Sequence, residues 1–161
     1  RVLASFPAGL QRSASKRLKK MGVDVLLNTA VATVDADAVH FKNGESLAAS
    51  TVVWAAGVRA AALADALSVA QGRSARVKVL PTLNLAERPE VFVVGDMAYL
   101  ETYKDGQAYP MVAQVAMQQG RQAGRNILAL IGKTEPREFR YFDKGQMATI
   151  GRRAAVFDAF G

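Results

Sequence analysis

One stretch of the sequence constrains the fold more than any other: a short apolar run that ends in Gly-Asp and precedes a long helical pattern. The run is Val-Phe-Val-Val at 91–94, followed by Gly95 and Asp96. This pattern is typical of a buried strand in a doubly wound sheet, where ligands bind at the carboxyl ends of the strands. Glycine lets a ligand approach the backbone, and an aspartate there can accept hydrogen bonds from ligand hydroxyls. The alternative is a strand turn with a solvated aspartate.

The helical pattern covers residues 112–131 and predicts one tightly packed face. Its apolar and small residues recur at helical spacing, and its glycines allow a neighbouring element to come close. The stripe comprises Val112, Ala116, Ala123, Ile127 and Ile131, with Ala113, Gly120 and Gly124 as the small contact residues.

The start of this helix combines features that suit an anionic or polar ligand. Pro110 is predicted to lie in the first turn, whose free N–H groups and dipole attract negative charge. Gln114 and Gln118 are four residues apart and therefore share a face. Without further information such a pair of amides also fits a solvated helix face.

Composition limits the chemistry that the chain can perform. Half of its 161 residues are apolar, which is enough for a hydrophobic core, and it has no cysteine. Disulfides, Cys-rich metal sites and Cys-x-x-Cys redox pairs are excluded, so redox chemistry would belong to a bound cofactor, and no metal is expected. The net charge of +7 fits a solvated basic surface or an anionic membrane surface. Because no aromatic stacking platform or known nucleic-acid motif accompanies this charge, it does not indicate nucleic acid.

The rest of the chain predicts alternating helices and short strands. A helix over 7–21 is expected to end at Gly22, and His40 is expected to point to solvent from its strand. The other predicted elements are strands at 23–27, 31–34, 38–42, 76–80, 139–142, 147–150 and 154–157, with a helix at 60–67.

Four motifs together resemble type II NADH:quinone oxidoreductases. They are Val-Val-Trp-Ala-Ala-Gly-Val at 52–58, Val-Val-Gly-Asp at 93–96, Ala-Gln-x-Ala-x-Gln at 113–118, and Tyr-x-Asp-Lys-Gly-Gln-Met-Ala-x-Ile-Gly at 141–151. The resemblance implies an α/β fold: part of a Rossmann-like flavoprotein with two dinucleotide-binding domains, a three-stranded β-meander and a C-terminal antiparallel β segment.

The resemblance also implies a division of the chain. Residues 1–56 would be the C-terminal part of the NADH-binding domain, and residues 57–132 the C-terminal part of the FAD-binding domain. Residues 133–161 would begin a C-terminal β region. No Gly-x-Gly-x-x-Gly match occurs in the sequence, so both pyrophosphate loops are expected upstream in a longer parent protein, and the chain alone is expected to be inactive.

FAD and NAD are the cofactors that the resemblance implies. Asp96, beside Gly95, matches the aspartate that binds the ribityl chain of FAD. Ala113 and Gln114 would face the pyrimidine edge of the flavin. The cofactor set is completed by two residues near the nicotinamide or flavin, Ala56 and Gly57.

Three residues are expected to act on the second substrate. Gln114 and Gln118 would border a quinone pocket, and Lys144 would place a cation near the developing anion. Without the resemblance, Lys144 would be interpreted as a solvated turn lysine.

The implied function is electron transfer from NADH through FAD to a quinone. The parent is expected on the cytoplasmic face of the inner membrane, bound through a C-terminal part outside this sequence. A homodimer is left open. The alternatives are another flavoprotein reductase with two dinucleotide-binding domains, or a non-catalytic binding module on the same fold. The absence of cysteine disfavours the sulfide and disulfide branches of that group.

Overall fold

The computed structural model describes residues 1–159, apart from the side chain of Asp105. The described chain forms two compact units. Unit 1 comprises Arg1–Ala55 and the described part of Asp143–Gly161, and unit 2 comprises Ala56–Phe142. The predicted division into 1–56, 57–132 and 133–161 is a functional assignment and stays a prediction; its last two residues lie outside the described part.

Three helices and seven strands make up the regular structure of the described residues. The helices are α1 (Ala8–Lys20), α2 (Leu63–Ala66) and α3 (Ala113–Ile131). The strands are β1 (Val31–Val34), β2 (Ala38–Phe41), β3 (Ser46–Ala48), β4 (Val77–Lys78), β5 (Ala98–Tyr99), β6 (Gln146–Thr149) and β7 (Ala155–Asp158). Short 3₁₀ turns lie at Arg73–Ala75, Gly95–Met97 and Lys104–Gly106. The α/β fold class is confirmed.

Helix α1 forms where the sequence predicts it. Ala14, at the centre of its apolar stripe, is fully buried in a core cluster whose other buried members are Phe6, Ile150 and Val156. The helix ends at Lys20, and the expected terminating residue, Gly22, follows the C-cap Met21 with a φ of 80°. The N–H groups that follow the helix bond back to its last carbonyls, which is the Schellman arrangement that favours glycine at this position.

Unit 1 contains the predicted three-stranded meander, in the order β1-β2-β3. The β1–β2 turn is stabilised by Asp35, whose Oδ1 accepts hydrogen bonds from the N–H groups of Asp37 and Ala38 at 2.9 and 2.8 Å. The predicted C-terminal hairpin also forms, with β6 antiparallel to β7. Gly145 precedes it with a φ of 83°, and a Cβ there would lie 2.2 Å from the carbonyl oxygen of Asp158. Only glycine fits this turn without a shift of the backbone.

Unit 2 is organised by the parallel pair β4–β5, in which Val77 lies opposite Ala98. The described part of unit 2 contains two clusters of buried residues, and the first of them includes this pair. The first buries Ala60, Ala64, Val77, Leu85, Val93 and Ala98. The second buries Leu83, Leu100, Tyr109, Val115, Ala123 and Phe139.

Three predicted strands do not form as regular strands: 23–27, 91–94 and 139–142 are irregular. Residues 91–94 instead bridge the preceding turn, where Val93 N–H donates to the Leu83 carbonyl at 3.0 Å and Leu85 N–H donates to the Val91 carbonyl at 2.9 Å. A β ladder needs a neighbouring strand of matching length, and the turn at 83–85 supplies one bridge only. The predicted parallel strand at 91–94 is therefore wrong in detail, although the segment remains extended and partly buried.

Helix α3 has the predicted length but a different buried face. Its buried residues are Val115, Gln119, Ala123 and Asn126, so two of the four are amides. Of the predicted stripe, Ala123 is buried as expected, whereas Ile127 and Ile131 are exposed, at 42% and 74%. The predicted packing glycines also fail, because a Cβ added at Gly120 or Gly124 would meet nothing within 4 Å. Hydrophobic spacing missed this face because the amides are buried with hydrogen-bond partners, which apolar periodicity does not detect.

Pro110 lies outside α3, since Val112 is the N-cap residue and its N–H donates to the Pro110 carbonyl at 3.0 Å. Within the described residues, no helix combines the length and apolar character that a bilayer crossing requires.

Candidate functional site

The turn at Gly95–Met97 packs directly against α3. Gly95 has a φ of 66°, and a Cβ there would lie 3.2 Å from the Cβ of Ala116. The Gly95 N–H donates to Oε1 of Gln119 at 2.7 Å. The structure therefore brings the Gly-Asp turn and the long helix together, as the sequence motifs require for a shared site.

Asp96 is exposed on this turn, and its carboxylate interacts electrostatically with the buried guanidinium of Arg76. Arg76 is only 6% exposed, donates from Nη2 to the carbonyl of Ala98, and stacks over the ring of Tyr99 at 5.5 Å. Burial lowers the pKa of the Arg76 guanidinium, and the negative charge of Asp96 partly opposes that shift. Asp96 thus presents an accessible carboxylate, and the positive charge of Arg76 interacts favourably with it.

The N-terminus of α3 carries no side-chain cap. Val112 is the N-cap residue and offers no side-chain hydrogen bond to the first turn. Ala113 is exposed and Gln114 is half-buried. An uncapped helix start suits an anionic or hydrogen-bonding ligand.

Gln118, predicted to border the quinone, bonds to the backbone in this structure. Its Nε2 donates to the carbonyl of Phe142 at 2.9 Å, and its Oε1 accepts from the N–H of Phe142 at 3.0 Å. The side chain therefore satisfies both backbone groups of one residue. Gln118 and Gln114 share a helix face as predicted, and the amide of Gln118 also holds the backbone of Phe142.

Asn126, toward the C-terminal end of the buried face of α3, forms hydrogen bonds to two other segments of the chain. Its Nδ2 donates to the carbonyls of Thr82 and Arg137 at 2.8 and 2.9 Å, and its Oδ1 accepts from the Arg137 N–H at 3.0 Å. Gln122 adds a fourth bond, from Nε2 to Oδ1 of Asn126 at 2.9 Å. This amide keeps the segments around residues 82 and 137 on the helix.

The remaining predicted residues lie at exposed positions. Ala56 and Gly57 are exposed in an irregular segment. Gly57 has a φ of 81°, and a Cβ added there would meet nothing within 4 Å. Lys144 is exposed in unit 1, next to Asp143, whose Oδ1 accepts from the N–H of Gly145 at 3.0 Å. Their cofactor and substrate roles stay predictions.

Unit 2 also contains a cleft of about 570 Å³. Val58, which follows Gly57, borders it, as do Pro110 and Met111, which precede α3. Its polar lining includes Arg73, Arg76, Tyr99 and Glu101. The hydroxyl of Tyr99 donates to Glu101 at 2.8 Å, and this bond raises the pKa of the phenol.

Sequence reasoning missed three residues of this region: Arg76, Gln119 and Asn126. All three are polar and almost fully buried. Gln119 directly follows the Ala-Gln-x-Ala-x-Gln motif, and its position four residues after Val115 could have placed it on the buried face. Nothing in the local sequence distinguishes Arg76 from the other cations. Within residues 1–159, no three or more His, Cys, Asp or Glu side chains are grouped to hold a metal ion.

The fold is that of a pyridine nucleotide-disulphide oxidoreductase. Plasmodium falciparum NDH2, solved in complex with NADH, superimposes with a TM-score of 0.81 over 98% of this chain and 47% of its own, at 16% sequence identity.

The chain belongs to the pyridine nucleotide-disulphide oxidoreductase family, whose sequence profile matches residues 1–120. Among curated relatives, the type II NADH:quinone oxidoreductase Ndh of Mycobacterium tuberculosis is 38% identical over 96% of this chain and 35% of its own length. The type II NADH:quinone oxidoreductase of Haemophilus influenzae is 31% identical over 97% of this chain and 35% of its own length. The resemblance to type II NADH:quinone oxidoreductases is confirmed, and the chain spans about a third of the length of these relatives.

Proposed function

We propose that this chain forms part of a flavin-dependent oxidoreductase that passes electrons from NADH through FAD to a quinone. The observation that carries the proposal is the close packing of the Gly95–Asp96 turn on α3. Gly95 N–H donates a 2.7 Å hydrogen bond to Gln119, and a Cβ added to Gly95 would lie only 3.2 Å from the Cβ of Ala116. This packing joins an accessible carboxylate to an uncapped helix start. The 38% identity to the M. tuberculosis enzyme supports the same reaction.

The residues present fit a flavin. A Cβ on Gly95 would lie 3.2 Å from the Cβ of Ala116, so glycine lets this turn pack closely on α3. The exposed carboxylate of Asp96 can accept hydrogen bonds from ribityl hydroxyls. The N–H groups of the first turn, at Ala113 and Gln114, would face the pyrimidine edge, where a helix N-terminus stabilises negative charge by about 0.3–1 kcal/mol. A bound flavin would supply the hydride acceptor and the two-electron donor of the reaction. The protein's part is to hold, orient and tune it.

Gln114 and Gln118 are proposed to border the quinone pocket, because an amide can donate a hydrogen bond to a quinone carbonyl without adding charge. Gln114 lies half-buried in the first turn of α3. Gln118 lies one turn further along, with its amide bonded to Phe142. Lys144, in unit 1, is proposed as the cation for the developing anion.

NADH and quinone are the proposed substrates, and the proposed location is the cytoplasmic face of the inner membrane. An exposed basic group on α1 supports contact with an anionic surface: it contains Arg12, Lys16, Lys19 and Lys20. Co-sedimentation of the full-length protein with anionic and with neutral vesicles tests this part. Equal binding to both would contradict it, and sedimentation of the free protein would decide whether it is a homodimer.

The absorption spectrum of the full-length protein tests the function itself. We expect a bound flavin that NADH bleaches under anaerobic conditions and that a quinone then restores. A flavin that NADH bleaches but that only another acceptor restores would indicate a different flavoprotein reductase of the family. A full-length protein without flavin would indicate a binding module on the same fold.

A further inference from the structure

Gln119 is the most deeply buried polar side chain of α3 and bonds to a residue 24 positions away. Its side chain is fully buried, and its Oε1 accepts from the Gly95 N–H at 2.7 Å. The bond reaches the backbone of the turn rather than another helix residue. It therefore fixes where the turn sits on the helix.

The close approach of Ala116 to Gly95 also depends on where the turn lies along α3. Ala116 lies three residues before Gln119, and its Cβ is 3.2 Å from the position of a Gly95 Cβ. Because a helix rises about 1.5 Å per residue, a slip of α3 by one residue would both break the 2.7 Å hydrogen bond and change this contact. The turn therefore has one well-defined position along α3.

We propose that Gln119 is a positioning residue that sets the distance between Asp96 and the start of α3, and so shapes the flavin site. This inference rests on the proposed function. Asp96 directly follows the residue that Gln119 holds, and Ala113 and Gln114 lie on the same helix as Gln119. Since Gln119 joins the two proposed flavin contacts through the backbone, its loss changes their spacing without removing either one.

The second atom of the Gln119 amide supports a positioning role over simple packing. Within the described residues, its Nε2 is buried and has no hydrogen-bond partner. A buried donor without an acceptor is unfavourable, so the amide brings a cost at Nε2 together with the hydrogen bond at Oε1. The acceptor Oε1, which holds Gly95, is the feature that an apolar residue could not supply.

Gln122 offers a matched control on the same helix. Its Nε2 donates one hydrogen bond, at 2.9 Å, to Oδ1 of Asn126, at the end of α3 away from the turn. Gln119→Met and Gln122→Met therefore make the same substitution and each remove one hydrogen bond. Only the first bond reaches the Gly95–Asp96 turn.

The test is the FAD dissociation constant of both variants in the full-length protein, measured well below the unfolding temperature, with the visible circular dichroism of the bound flavin. We expect Gln119→Met to weaken FAD binding about two- to tenfold and to change the dichroism, because one neutral hydrogen bond is lost. Gln122→Met should change neither. If Gln119→Met binds FAD like the wild type, the inference is overturned while the proposed function stands. If the wild type holds no flavin, both fail.

Amide hydrogen exchange in the wild-type protein keeps the inference testable if Gln119→Met does not fold. Coupling between two sites is reciprocal, so removal of FAD should speed exchange of the Gly95 amide about two- to tenfold. Amides near Asn126 should exchange at an unchanged rate. Exchange at Gly95 that is the same with and without FAD would overturn the inference.

Discussion

The side-chain amide of Gln118 pairs with both backbone groups of Phe142, as a neighbouring β-strand would. Nε2 donates to the carbonyl at 2.9 Å and Oε1 accepts from the N–H at 3.0 Å. Phe142 lies in a segment without regular secondary structure, and its side chain is 64% exposed. A glutamine from α3 therefore replaces the backbone partner that a sheet would supply.

Gln118→Leu should release this segment locally. Two neutral hydrogen bonds at a partly exposed position are worth about 1–2 kcal/mol together, so the Phe142 amide should exchange with solvent about five to thirty times faster. Amide hydrogen exchange of the full-length protein measures this. Met117→Leu is the control, since Met117 is 60% exposed on the same helix and its substitution should leave Phe142 protected. An unchanged rate at Phe142 in the Gln118 variant would contradict the structural role.

Gln114→Leu should separate the two half-reactions of the proposed enzyme. Loss of one neutral hydrogen bond to the quinone, about 0.5–1.5 kcal/mol, should slow flavin reoxidation about two- to tenfold. Reduction by NADH should remain near normal in stopped-flow traces. A variant slow with NADH and normal with quinone would place this face of α3 on the other substrate.

Asp96→Ala in the full-length protein should weaken flavin retention. A charge-assisted hydrogen bond contributes about 1.5–3 kcal/mol, so FAD affinity should fall about ten- to a hundredfold. Fluorescence titration of the apoprotein with FAD gives the dissociation constant. Asp96→Asn, which keeps the shape and an acceptor oxygen, should lose less; equal affinities in wild type and Asp96→Ala would refute the assignment.

The β1–β2 turn should respond to acid through Asp35. The imidazole of His40 bonds to its carboxylate at 2.6 Å, and this bond, with two backbone N–H donors, lowers the pKa of Asp35 from 3.8 to about 2. A lowered carboxyl pKa stabilises the folded turn above the unfolded pKa, and this contribution is lost as the pH falls from about 4 to about 2. In His40→Ala the midpoint should move upward toward 3.8, measured by NMR titration of the carboxyl carbon. An unmoved midpoint would show that His40 does not hold the carboxylate. The sequence predicts that His40 points to solvent, whereas the structure pairs it with Asp35.

Gly145→Ala should destabilise the β6–β7 hairpin. The substitution places a Cβ 2.2 Å from the Asp158 carbonyl oxygen at a φ of 83°, so both the clash and the left-handed backbone oppose it, by about 2 kcal/mol or more. Faster amide exchange in β6 would report the effect. Gly44→Ala is the matched control, because Gly44 has a φ of 89° with nothing within 4 Å, so only the backbone term of about 1 kcal/mol applies. Equal effects of the two substitutions would show that the clash at Asp158 is relieved elsewhere.

Local patterns predicted the elements whose determinants are close in sequence. Helix α1 follows from its apolar spacing and the Gly22 cap, and the first two strands of the β-meander follow from the short runs at 31–34 and 38–42. The same holds for β6 and β7. The residues that determine each of these elements are close together in the sequence, so their spacing predicts the element.

The sequence by itself also determined the family, because its motifs are contiguous and the chemistry they serve needs those residue types in that order. Tertiary structure alone decided which face of α3 is buried and what its amides do. Gln118, Gln119 and Asn126 find their partners at Phe142, Gly95, Thr82 and Arg137, which lie between 11 and 44 positions away. A buried amide is stable only where distant backbone groups pair with it, and apolar spacing along a helix does not encode that pairing. The extended segment at 91–94 shows the same limit, since an apolar run forms a regular strand only where folding brings a matching strand beside it.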